Sequence, residues 1–130
     1  MVLIQFLNEK NYFLEKFCQL NETQFKLLQQ GHIEGLDYFY NQRESIIGIV
    51  RNIDGKITKC LTAPDSQKLT GPEREAVKKA MAIKDEYVHL IMAQDLDIIA
   101  HIDHLKTSIF NELKAVSSSK KLVNGYKSEL

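Results

Sequence analysis

From Pro72 to about Val116 no Gly and no further Pro interrupts a helical pattern, and this run constrains the fold more than any other feature of the chain. At 100° per residue, Val77, Met81, Val88, Ile91, Ile98, Ile99, Ile102, Leu105, Ile109, Leu113 and Val116 fall on one stripe. A helix of about 45 residues is about 65 Å long, longer than a compact domain of this size is wide. One end is therefore expected to project or to be shared with a partner. Lys84 and Asp95 interrupt the stripe, as polar residues that fix register do in a coiled-coil seam. Thr70-Gly71-Pro72-Glu73 reads as the helix start, with Thr70 as cap, Pro in the first turn and an acid near the positive end of the dipole.

Two shorter segments precede it. The first runs to about Gln30, with Leu3, Phe6, Leu7, Phe13, Leu14, Phe17, Leu20, Leu27 and Leu28 on its apolar face. Gly31 then breaks the pattern as a left-handed residue at a helix C-terminus would. The second, His32 to about Asp54, carries Ile33, Leu36, Phe39, Tyr40, Ile46, Ile47, Val50 and Ile53, and Asp54-Gly55 reads as its closing turn. Gly35 and Gly48 inside it mark either a close helix approach or simple tolerance, at about 1 kcal/mol each relative to Ala. Lys56 to Gly71 reads as the linker, with Ile57, Cys60 and Leu61 able to extend the second helix by a turn. Six Gly and two Pro in 130 residues are too few for the turns of an all-β fold. The expectation is all-α: an antiparallel three-helix bundle with one long C-terminal helix, one domain over 1–130, and a mobile tail over 117–130.

Seventeen basic residues balance seventeen acidic ones, so no net field draws in nucleic acid or an anionic membrane. The apolar start, Met1 to Leu7, lacks a basic flank and a small-residue cleavage site, and it is too short to span a bilayer. Cys18 and Cys60 lie in apolar-periodic stretches and read as reduced core thiols of a cytoplasmic protein. No nucleophile elbow, phosphate-cradling glycine loop or zinc-type cysteine pair is present. Asp97, His101 and His104, beside Asp103, have the spacing of metal ligands on one helical face. The helical wheel turns that face away from the stripe, so a solvated polar surface is expected and no metal or other cofactor. Met92-Ala93-Gln94-Asp95 with His101 and His104 is similar to the third helix of the lactose-type enzyme IIA phosphocarriers. Met92 stands where that pattern has His. The chain is expected not to be an enzyme.

Past Val116 the character changes. Ser117-Ser118-Ser119 lowers helix propensity, and Leu122, Val123, Tyr126 and Leu130 leave the stripe. Three stretches carry a resemblance. The first is Leu27-Leu28-Gln29-Gln30-Gly31-His32-Ile33-Glu34-Gly35-Leu36, and the second is Asn41-Gln42-Arg43-Glu44-Ser45-Ile46-Ile47. The third runs from Ile98 to Tyr126 through Ile99, Ile102, Leu105, Ile109, Glu112-Leu113, Lys120-Lys121 and Asn124-Gly125-Tyr126. Together they resemble the flagellar export chaperones of the FlgN/FliT type over nearly the whole chain, departing at His32-Ile33, where an acid is common in that family. The resemblance implies a cytoplasmic chaperone that binds a late export substrate, such as a hook-associated or filament-cap protein, and delivers it to the export apparatus. It also implies that Tyr126 docks on an export-gate component.

Helices one and two are too short to cover both ends of the third. Ile109, Phe110, Leu113, Val116, Leu122, Val123 and Tyr126 are therefore expected to stay accessible as the client surface. Burial of the same region in a homodimer is the competing expectation. A structural helical adaptor unrelated to flagella would share the fold.

Overall fold

The computed structural model describes residues 2–63 and 68–129, with side-chain surroundings for 2–63 and 68–118. Three helices account for it: α1 (Val2–Gln29), α2 (Leu36–Thr62) and α3 (Gly71–Glu129). They run up, down and up, and no strand occurs among the described residues. The sequence expectation of an all-α three-helix bundle with the longest helix at the C-terminus holds.

The bundle is organised around α1. Both α2 and α3 pack on it, whereas no Cα of α2 comes within 8 Å of a Cα of α3 among the described residues. Every third or fourth residue of α1 is therefore buried: Leu3, Leu7, Asn11, Leu14, Phe17, Cys18, Asn21, Gln24 and Leu28. Two apolar clusters close the ends. Leu3 and Leu7 meet Ile53, Ile57 and Ala80 at one end; Leu28 meets Phe39 and Ile98 at the other.

The α1–α2 turn follows from its glycines. Gly31 adopts φ 81° and Gly35 φ 89°, left-handed values that cost other residues steric strain. The Gly31 amide donates to the Leu28 carbonyl at 2.9 Å and the His32 amide to the Leu27 carbonyl at 2.9 Å, which satisfies carbonyls that a helix end otherwise leaves unpaired. At the start of α3, the Glu73 amide donates to Thr70 Oγ1 at 3.2 Å and the Thr70 amide to Glu73 Oε1 at 3.4 Å. This reciprocal box satisfies two of the free N-terminal donors, so Thr70 caps as its position suggests.

Three boundaries differ from the sequence reading. The second helix begins at Leu36 rather than His32, because Gly35 is left-handed and precedes it. It does not close at Asp54-Gly55 but continues to Thr62. Ile57 is buried against Leu3 and Leu7, and burying one such side chain stabilises by about 1.5–3 kcal/mol, more than the helical penalty at Gly55. Asp54, read as a turn residue, instead ion-pairs with Lys10 of α1 at 2.7 Å. Gly48 is a tolerated helix glycine and not a close approach, since a Cβ there would meet nothing within 4 Å. The α3 backbone stays helical through Ser117-Ser118-Ser119 to Glu129. The side chains expected in the tail, Leu122, Val123 and Tyr126, lie outside the described residues.

Candidate partner-binding surface

Between the two apolar ends lies a polar layer built from all three helices. Asn21 of α1, completely buried, donates through Nδ2 to Gln94 Oε1 and Asp95 Oδ1 of α3, each at 3.2 Å. Its Oδ1 accepts from Arg43 Nη1 of α2 at 3.2 Å. The Arg43 guanidinium grips Asp95 with both nitrogens, at 2.8 and 3.1 Å, and lies over the rings of Phe17 and Phe39. Gln94 Nε2 donates onward to the Cys18 carbonyl at 3.3 Å. Such a layer tolerates one alignment of three helices and penalises the others, because a helical slip leaves buried polar groups unpaired. Arg43 and Asp95 thus tie α2 to α3 by side chains where the backbones stand apart.

Below that tie the gap between α2 and α3 is an apolar cleft floored by α1. One part, about 220 Å³, is lined by Leu14, Phe17, Ile47, Val50, Arg51, Val88, Ile91 and Met92. A helical turn further along, a second part of about 220 Å³ is lined by Leu3, Leu7, Ile57, Leu61, Val77 and Met81, with Lys10, Asp54 and Lys84 at its polar edge. Met81, Val88 and Met92 remain exposed along it, although the first two belong to the stripe that the sequence places toward the core. The stripe is only partly covered because α3 has a direct backbone neighbour on one side alone.

Towards the C-terminus α3 outruns the bundle. Among the described residues, Leu105 is the last apolar side chain of α3 packed against the Leu28–Phe39–Ile98 cluster. Beyond it Ile109, Phe110, Leu113 and Val116 are exposed, Phe110 and Leu113 by 64% each. The arm from 106 to 129 is about 35 Å long at 1.5 Å per residue. Phe110 belongs to a second seam turned one residue, or about 100°, from the core-facing stripe. Ile99 and Leu113, which the sequence reading placed on the stripe, lie on this seam instead. Met92, Leu96, Ile99, Asp103, Lys106, Phe110 and Leu113 follow one another at alternating steps of four and three, all exposed. Leu96, at 70%, is the most exposed of its large apolar members. The seam begins at the cleft wall with Met92 and ends on the arm.

Of the residues the sequence selects for a client surface, the structure thus brings Ile109, Phe110, Leu113 and Val116 onto one exposed helical segment. Leu96 and Ile99 extend the surface, Leu14 and Phe17 floor the adjoining cleft and Val50 walls it; sequence reasoning did not select these for a partner surface. The signal for the seam was present in the four–three spacing, masked by the stronger stripe beside it.

Asp97 and His104 are exposed, as the helical wheel suggests, but His101 is not part of that solvated face. His101 is half-buried, its Nε2 2.8 Å from the Leu28 carbonyl at the C-terminus of α1, and its ring meets Phe25 edge-on. Ala80, Tyr87, Gln94 and His101 recur at steps of seven on the flank of α3 that faces α1, and none is fully exposed. Among the described residues no three His, Cys, Asp or Glu side chains converge to hold a metal ion.

Both cysteines are free, Cys18 buried and Cys60 half-buried. Burial, with smaller contributions from the carboxylates of Glu15, Asp95 and Glu22, pushes the Cys18 thiol above its ordinary range. Since the thiolate is the reactive form, brief treatment of the native protein with a thiol reagent near pH 8 is expected to label Cys60 first. Cys18 should react at a comparable rate only after denaturation. Equal native labelling by peptide mass analysis would contradict the burial of Cys18.

No helix of the described chain is long and apolar enough to cross a membrane. Comparison with protein-family models, curated proteins and solved structures returns no match.

Proposed function

We propose that this chain captures an amphipathic helical segment of another protein on the outer seam of α3, and that it is a cytoplasmic export chaperone for a late flagellar substrate. The observation that carries the reading is the uncovered seam from Met92 to Leu113, with Met92, Leu96, Ile99, Phe110 and Leu113 exposed on it, adjoining the cleft at one end and projecting from the bundle at the other. Exposed apolar side chains on either side of the charged Asp103 and Lys106 are suited to burying the apolar face of a helix-prone segment. The resemblance through Leu27–Leu36, Asn41–Ile47 and Ile98–Tyr126 supplies the class of partner, a hook-associated or filament-cap protein with disordered terminal segments. Ordering such a segment costs conformational entropy, which burial against Leu96, Ile99, Phe110 and Leu113 offsets. Holding a client needs no chemical step. Release follows from transfer to the export machinery, where Tyr126 is the docking residue that the resemblance implies.

A pull-down with the terminal segments of the cell's late flagellar proteins tests the reading. Retention of a hook-associated or filament-cap segment, weakened by Phe110→Asp and by deletion of 117–130, is the expected result. Retention of none, or unchanged retention by both folded variants, contradicts it.

A further inference from the structure

We infer that the outer seam of α3 is self-complementary and pairs two copies of this chain antiparallel about a two-fold axis between His104 and Leu105. The argument is one of register. With that axis, Leu96 of one copy faces Leu113 of the other and Ile99 faces Phe110. Asp103 faces Lys106, and every pairing occurs twice. Antiparallel coiled coils alternate layers in this way, the position after a step of four meeting the position after a step of three.

The centre of the seam selects this arrangement. Asp103 and Lys106 are both exposed, and no ion pair joins either to another described residue. In the antiparallel register each meets the opposite charge. In a parallel pairing Asp103 would meet Asp103 and Lys106 would meet Lys106, and like charges directly opposed are unfavourable. Sliding the antiparallel pair by a heptad would set Asp103 against Leu113. Ala93 and Ala100, both exposed beside the seam, keep that flank low enough for a second helix to approach. The pairing places each projecting arm against the partner's bundle, so the segments that α1 and α2 leave uncovered cover one another.

The inference rests on the seam alone and not on the chaperone reading. If that reading also holds, a client and a second copy compete for Phe110 and Leu113, and client binding releases monomers.

Analytical ultracentrifugation of the full chain at about 100 μM, where a Kd below that value leaves most chains paired, is expected to show a dimer that dissociates on dilution. Asp103→Lys and Lys106→Asp should each weaken self-association at least about tenfold, since each opposes like charges, while circular dichroism stays unchanged. Mixing the two variants should restore a dimer, now between unlike chains, because both central pairs become opposite in sign. The doubly exchanged chain should pair with itself again. A wild-type monomer throughout overturns the inference, and so do single variants that self-associate as well as the wild type. Dimerisation that the mixture fails to restore also overturns it, since the copies would then meet elsewhere. Client retention by a chain that never dimerises would leave the chaperone reading intact while removing this one.

Discussion

Replacing Phe39 by Ala is expected to lower the free energy of unfolding by about 3–5 kcal/mol, the range for emptying a well-packed aromatic site. Phe39 is 1% exposed and sits where the three helices converge, against Leu28 and Ile98, with Leu20, Phe25, Leu36, Ile102 and Leu105 around them. Its ring also carries the Arg43 guanidinium. Truncation therefore removes apolar burial, leaves a cavity and takes one support from the polar layer. Single domains are stable by only about 5–15 kcal/mol, so the loss is a large fraction of the total. It corresponds to roughly 10–20 °C in melting temperature for a chain of this length. A urea or thermal denaturation series with a loss under about 1 kcal/mol would contradict the placement of Phe39.

The second large effect concerns Arg43 and Asp95. Arg43→Leu leaves Asp95 facing Asn21 without its cation, and Asp95→Leu strands the guanidinium over Phe17 and Phe39. Breaking one side of a fully buried pair costs about 3–5 kcal/mol. Here the side chains keep 20% and 30% exposure, so solvent screening reduces the expected loss to about 2–3 kcal/mol for each single variant. The double variant is expected to lose clearly less than the sum, because removing both charges strands neither. Chemical denaturation of the four chains measures the difference. Strict additivity would mean that the two side chains do not act as a unit.

Legibility in the sequence followed the range of the interaction. The left-handed Gly31 and the Thr70–Glu73 box depend on neighbours within a few residues, so residue type and spacing were enough to read them. The length of α3 was equally open, since it needs only an unbroken pattern. The centrality of α1 was not. A stripe of apolar residues shows which side of α3 avoids water but not whether one or two helices cover it. Met81 and Val88 therefore read as core and are exposed. His101 failed in the opposite direction: a polar residue type on the flank facing α1 hid a half-buried position bound to the Leu28 carbonyl. Asn21, Arg43 and Asp95 come from three helices and meet only in the folded chain; Asp95 inside an apolar stripe was the single local hint. At Gly55, local turn chemistry pointed to a helix end, and burial of Ile57 against Leu3 and Leu7 prevailed.

Partner capture by the seam is tested most directly by isothermal titration of a retained client segment into the wild-type chain and into Phe110→Asp. The wild type is expected to bind with a negative heat-capacity change, the mark of apolar burial. Phe110→Asp should weaken the affinity at least about tenfold, as for an anchor residue at an interface centre, with its circular dichroism unaltered. Equal affinities for the two folded chains would contradict the account and place the binding surface elsewhere on the molecule.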